Sequence, residues 1–151
     1  MNDASTKVSV LTVSPFESDL VILSNMISHS AWTFQSAHSI EEAKSSLING
    51  SVQVVLCEAS LPDGSWQDLL EVVQGVSGEA PEMIVFSRNA DDQLWATVLN
   101  LGAWDVLTKP FHPKEVFRSI HSAWSHRTEM HGEPVRKPVR AEGTKRMAAF
   151  A

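Results

Sequence analysis

Residues 52–57 read VQVVLC, five apolar side chains broken only by Gln53, and three of them are valine. A strand with one wet face alternates apolar and polar. A strand that is apolar at successive positions suits burial on both faces. Such a strand needs a layer above it and a layer below it, and helical patterns lie on either side of it in the chain.

The rest of the chain repeats that arrangement. Residues 7–13 (KVSVLTV) are β-branched and alternating, which predicts a strand. Residues 16–29 carry Leu20, Leu23 and Ile27 at helical spacing, with Pro15 suited to a helix entry. Residues 32–37 form a short strand candidate. Ser39, with Glu42 three residues on, has the pattern of a capping box, and Asn49-Gly50 ends that helix. Pro62-Asp63-Gly64 predicts a turn, and residues 65–74 an amphipathic helix. Residues 83–86 then predict a strand, 91–101 a helix stopped by Gly102, 104–107 a strand, and 113–124 a helix with Val116, Phe117, Ile120 and Trp124 at core spacing. Strand and helix alternate five times. The expectation is an α/β domain with a doubly wound, five-stranded parallel sheet and helices on both faces. In such sheets chemistry sits beyond the carboxyl ends of the strands. Those ends are Ser14-Pro15, Glu58-Ala59, Ser87-Arg88 and Thr108-Lys109.

A chain of 151 residues suits one domain, expected over residues 1–126, with a tail over 127–151. Charge divides along the same line. Residues 1–125 hold six Lys/Arg against fifteen Asp/Glu, a net of −9, and residues 126–151 hold six against three, a net of +3. An acidic body argues against nucleic-acid binding by the folded part. The tail mixes Pro, Gly and charge and reads as flexible, with Arg136, Lys137, Arg140, Lys145 and Arg146 as its basic content. No apolar run approaches the ~18 residues that span a membrane. No secretory signal is visible at the N-terminus, and Cys57 has no partner for an internal disulfide. A cytoplasmic location is expected from these features.

The segment VQVVLCEASLPDG, the later LTKPF with Gly102-Ala103 ahead of it, and IVFSRN between them carry a family resemblance. Together they resemble the receiver domain of bacterial response regulators, CheY-like proteins, over about residues 7–125. The resemblance implies strand order 2-1-3-4-5. It implies a phosphoacceptor position at Glu58, phosphate-pocket positions at Ser87 and Lys109, and a frequently cis Lys109-Pro110 bond. It implies a magnesium-binding acidic pair at the positions held by Ser14 and Pro15, and a switch aromatic at the position of Val106.

The departures from the family pattern are chemical. Family members accept phosphate on an aspartate, where this chain has Glu58. Magnesium takes oxygen ligands, usually including carboxylates. Ser14 offers a hydroxyl and Pro15 no side-chain ligand, so magnesium binding is expected weak or absent. Phosphoryl transfer rests on positioning and on neutralising charge, so little acceptor activity is expected. Val106 lacks the ring that swings in the family. Glu58 has two readings. In one it reaches Lys109 and Ser87 and partly imitates a phosphorylated aspartate. In the other it is a partly exposed group paired with Lys109 for ~0–1 kcal/mol.

Asp63 reads as turn chemistry, and Cys57 as a buried inert thiol. The histidines show no ligand spacing. The resemblance implies a protein-binding face on the fourth helix, fifth strand and fifth helix, where Trp95 and Trp104 are candidate interface residues or else core. The leading expectation is a stand-alone, non-enzymatic receiver in two-component (phosphorelay) signalling, a pseudo-receiver that binds protein partners independently of phosphorylation. Its partners would be a sensor kinase or a downstream target, with a homodimer through that face possible. The alternatives are a phosphorelay acceptor using a carboxylate such as Glu58, tail-mediated nucleic-acid binding, and a small flavodoxin-like enzyme or nucleotide binder. The last lacks a glycine-rich loop after the first strand.

Overall fold

A computed structural model describes residues 8–48, 51–76 and 79–132. The elements alternate as expected. They are β1 (Ser9–Val13), α1 (Glu17–Ile27), β2 (Thr33–Ala37), α2 (Ile40–Ile48), β3 (Val54–Glu58), α3 (Trp66–Gln74), β6 (Glu82–Ser87), α4 (Asp92–Asn100), β7 (Asp105–Thr108) and α5 (Pro113–Gly132). Between β3 and α3 the predicted turn is a small antiparallel hairpin, β4 (Ser60–Leu61) with β5 (Gly64–Ser65).

The five long strands form one parallel sheet ordered β2-β1-β3-β6-β7, the 2-1-3-4-5 order when the hairpin is left aside. β3 is central and buried along its whole length, which explains why it is apolar at successive positions. Each face of the sheet has its own core. Leu11, Val13, Val55, Cys57, Val85 and Val106 pack under α2, α3 and α4. Val8, Val10, Leu56, Ile84, Phe86 and Leu107 pack under α1 and α5. Because side chains alternate along a strand, Glu58 continues the face of Val54 and Leu56, the face covered by α1 and α5. Trp66 packs with the other core.

Local signals explain the helix ends. Ser65 caps α3 through Gln67 N–H and closes a capping box with Asp68. Asp91 caps α4 through Leu94 N–H at 2.9 Å. Just past the end of α4, Gly102 sits at φ +99°, the left-handed conformation that favours glycine. The stop expected at Asn49-Gly50 lies outside the described residues.

Three expectations change. α5 does not end at Trp124, and the body does not end at residue 126. The helix runs to Gly132, because its last turns are anchored by polar contacts that an apolar pattern does not reveal. His126 stacks on Trp104 at 4.5 Å and pairs with Glu82 at 2.6 Å, and Arg127 donates to the carbonyls of Ala80 and Glu79. The remainder of the basic tail, residues 133–151, lies outside the described residues. The third change concerns the candidate interface residues. Trp104 is 1% exposed and Trp95 9% exposed, each inside a core. Neither ring stands on the surface as an anchor, because both fill the space between sheet and helix.

Candidate functional site

The site forms where β1, β3 and β7 end beside the first turns of α1. Glu58, the last residue of β3, is 6% exposed. Its Oε1 accepts a hydrogen bond from Lys109 Nζ at 2.8 Å. The same ammonium donates to Asp19 Oδ2 at 3.0 Å. Asp19 lies on α1 and is 4% exposed. Ser14, buried at the end of β1, donates its hydroxyl to Asp19 Oδ2 at 2.8 Å and accepts from Phe16 N–H at 3.0 Å. One lysine thus joins two buried carboxylates, and a serine orients one of them.

Aromatic rings flank this cluster. Lys109 Nζ lies 4.9 Å from the centre of the Phe16 ring and 5.6 Å from that of Phe86. Phe111 meets Phe86 edge-on at 5.1 Å. The ring faces attract the ammonium. Burial alone pulls the Lys109 pKa down, but hydrogen bonds to Glu58 and Asp19 outweigh it and hold the group above lysine's ordinary value. The cation therefore stays charged at neutral pH.

The expected site residues divide. Glu58, Lys109 and Ser14 meet, though Ser14 acts by orienting Asp19. The reading of Glu58 as a partly exposed group is corrected, since the carboxylate is buried, while its expected pairing with Lys109 is present. Ser87 Oγ accepts from Asn89 N–H at 3.1 Å, a loop contact. Pro15 is half-buried at the head of the β1–α1 loop. Val106 is buried in the opposite core. The Lys109-Pro110 bond is cis. Cys57 is fully buried and its thiol points at the Glu58 carbonyl. Burial, and then the neighbouring Glu58 charge, push that thiol well above its ordinary pKa, so it stays protonated.

Asp19 and the flanking aromatic rings were not visible as site residues in the sequence. A signal for Asp19 existed. It leads the stripe Asp19, Leu23, Ile27, spaced by four, so a charge heads the buried face of α1. Asp63 does more than shape its turn. Its carboxylate accepts from Ile40 N–H at 3.0 Å and from Glu41 N–H at 3.1 Å, capping α2 from a distant loop. Around the rim, His38 bridges Glu17 at 3.0 Å and Glu42 at 3.2 Å. Those bonds, Glu17 first, raise its pKa above the usual imidazole value.

The family model for the response regulator receiver domain matches residues 10–121. The chain belongs to that family. Receiver domains are signalling modules of two-component systems that contact kinases and targets. A probable transcriptional regulatory protein of Sinorhizobium fredii (strain NBRC 101917 / NGR234) is 26% identical over 121 residues. That alignment takes in 74% of this chain and 53% of the relative, so the chain spans about half of that protein's length. Among solved structures, the signal receiver domain of an HD domain-containing protein from Pseudomonas fluorescens Pf-5 superposes with a TM-score of 0.76 at 22% identity, covering 85% of this chain and 94% of that one. A CheY-like receiver domain protein from Methanospirillum hungatei JF-1 gives 0.73 at 19% identity, covering 82% and 98%. At these identities the structural likeness speaks for the fold. No helix among the described residues is long and apolar enough to cross a membrane.

Proposed function

We propose that this receiver signals by protein contact without being phosphorylated, its pocket already closed by an internal ion cluster. The observation that carries this reading is the Lys109 ammonium held at 2.8 Å by Glu58 and 3.0 Å by Asp19. A phosphoryl group would have to displace a buried carboxylate from that lysine. It would then face two negative charges with one cation between them.

The donor set does not fit magnesium. That ion needs near-octahedral oxygen ligands and commonly keeps carboxylates among them. Here both carboxylates are engaged by Lys109, the Ser14 hydroxyl by Asp19, and Pro15 has no donor to give. No group of three or more His, Cys, Asp or Glu side chains among the described residues is arranged to hold a metal. The resulting module would present a single surface state to its partner, a sensor kinase or a downstream target.

The test is to treat the full chain with magnesium and acetyl phosphate, and separately with magnesium and beryllofluoride. A receiver with an intact acidic pair serves as positive control. The expected outcome is no phosphoryl adduct by intact mass spectrometry and no saturable amide shifts at Glu58, Ser14 or Lys109. An adduct mapped to Glu58 would replace this reading with that of a phosphorelay acceptor.

A further inference from the structure

Sheet edges present unpaired backbone groups, and proteins commonly guard them with charge, proline or cover. The two edges of this sheet differ. β7 spans four residues, carries Asp105 and runs directly into Lys109-Pro110. β2 reads TFQSA, with neither charge nor proline. The charge-free stretch extends well past the strand, for residues 20–40 contain no Asp, Glu, Lys or Arg. The strand itself thus puts no charge in the way of a second copy, and the nearest carboxylates, Glu17 and Glu42, stand at its carboxyl end, each paired with His38.

The backbone of β2 has a self-complementary register. Thr33 N–H donates to Val8 O at 2.9 Å, and Ala37 O accepts from Ser14 N–H at 3.0 Å. Thr33, Gln35 and Ala37 therefore aim their backbone groups at β1, and Phe34 and Ser36 aim theirs outward. A two-fold axis through Gln35 sets Phe34 opposite Ser36 of the second copy, and Ser36 opposite its Phe34. In an antiparallel pair those are the positions that exchange both N–H and C=O bonds.

The flanking helices match this placement. Glu17 reaches His38 just past the end of β2, so the stripe Glu17, Val21 on α1 looks toward that edge. Val21 is 49% exposed. On the other face of the sheet, Ile48 of α2 is 82% exposed. Among the described residues, the large exposed apolar side chains are Phe16, Val21, Ile22, Ile48 and Leu101, and only Leu101 lies away from α1 and α2.

We infer that two copies of this chain join through the β2 edge, antiparallel about Gln35. One sheet then runs through both protomers, and Val21 packs at the seam. The inference is independent of the ion cluster. A strand from an unrelated protein is the competing occupant. The edge suits a second copy better, since its small uncharged Thr33 and Ser36 offer no pocket or charge by which to select a different sequence.

The test follows association of the full chain by analytical ultracentrifugation across the micromolar range, with hydrogen exchange at each concentration. The expected result is a monomer–dimer equilibrium in which the Phe34 and Ser36 amides slow as dimer forms. Ser36→Pro should weaken association by about tenfold or more, because the outward N–H lies outside the β1–β2 ladder and its loss spares the fold. Val21→Glu should do the same from an exposed helix position, and it carries the test if Ser36→Pro misfolds by circular dichroism. Leu101→Glu should leave association unchanged. A monomer at every concentration overturns the inference, as does a dimer that ignores Ser36→Pro and Val21→Glu and is lost in Leu101→Glu.

Discussion

Removing the Lys109 ammonium would leave Asp19 and Glu58, each less than a tenth exposed, as unpaired charges within reach of the same vacated position. Breaking a buried pair from one side typically costs ~3–5 kcal/mol, more than the pair itself contributes. Lys109→Met is expected to lose on that order in urea denaturation. Adding Glu58→Gln should restore at least ~1 kcal/mol by removing one stranded charge. The pH dependence follows from the raised lysine pKa. A group raised in the folded state contributes fully below its unfolded value of ~10.4 and loses that contribution as pH rises through its folded value. The gap between wild type and Lys109→Met should thus be undiminished at neutral pH and shrink above about pH 10.5. A gap that persisted at pH ~12 would mean the lysine acts by packing alone. At this scale Glu58 and Lys109 were legible because motifs bracket them. Asp19 was not, because the positions where the family carries its carboxylates are Ser14 and Pro15 here. The fold brings one from a turn farther along α1.

The elements are built from local signals that the fold then extends. α2 illustrates this. Its own Ser39 hydroxyl accepts from Glu42 N–H at 3.2 Å, as the capping pattern implied. The Glu42 carboxylate does not close the box on Ser39. It accepts instead from His38 N–H at 2.7 Å. The remaining first-turn donors go to Asp63, twenty-three residues away from Ile40. Hydrogen bonds from that backbone, Ile40 first, lower the Asp63 pKa. A depressed carboxylate stabilises above its unfolded value of ~3.9, and the contribution disappears as pH falls through its folded value. Asp63→Ala is expected to lower the midpoint of urea denaturation at neutral pH, as other lost helix caps do, and to lower it less at pH 3. Equal losses at both pH values would show that the carboxylate charge is not what caps α2. A similar long-range effect lengthens α5, where Arg127 and His126 anchor turns whose sequence looks like the start of a linker.

Over the whole molecule, charge is arranged so that attraction is inside and repulsion outside. The ion cluster lies against Phe16 and Phe86, while among the described residues the exposed charges are mostly carboxylates. Salt screens exposed charges far more than buried ones. Raising sodium chloride from low to near-molar concentration should therefore relieve self-repulsion and leave the cluster largely intact. A gain of about 1 kcal/mol is expected, read as a melting temperature higher by ~2–4 °C. A fall with salt would mean that the net electrostatic stabilisation comes from exposed pairs. The sequence by itself determined the architecture, because a twice-buried strand flanked by alternating helix and strand periods has few other solutions. It also placed Glu58 and Lys109 at strand ends, since hydrophobic period and turn residues are local properties. Only the tertiary structure decided that Asp19 joins Glu58 on Lys109, that Trp95 and Trp104 are core, and that β2 is an edge strand of the sheet. Those facts depend on which face each side chain meets after five strands have been ordered out of sequence, and no local pattern encodes that.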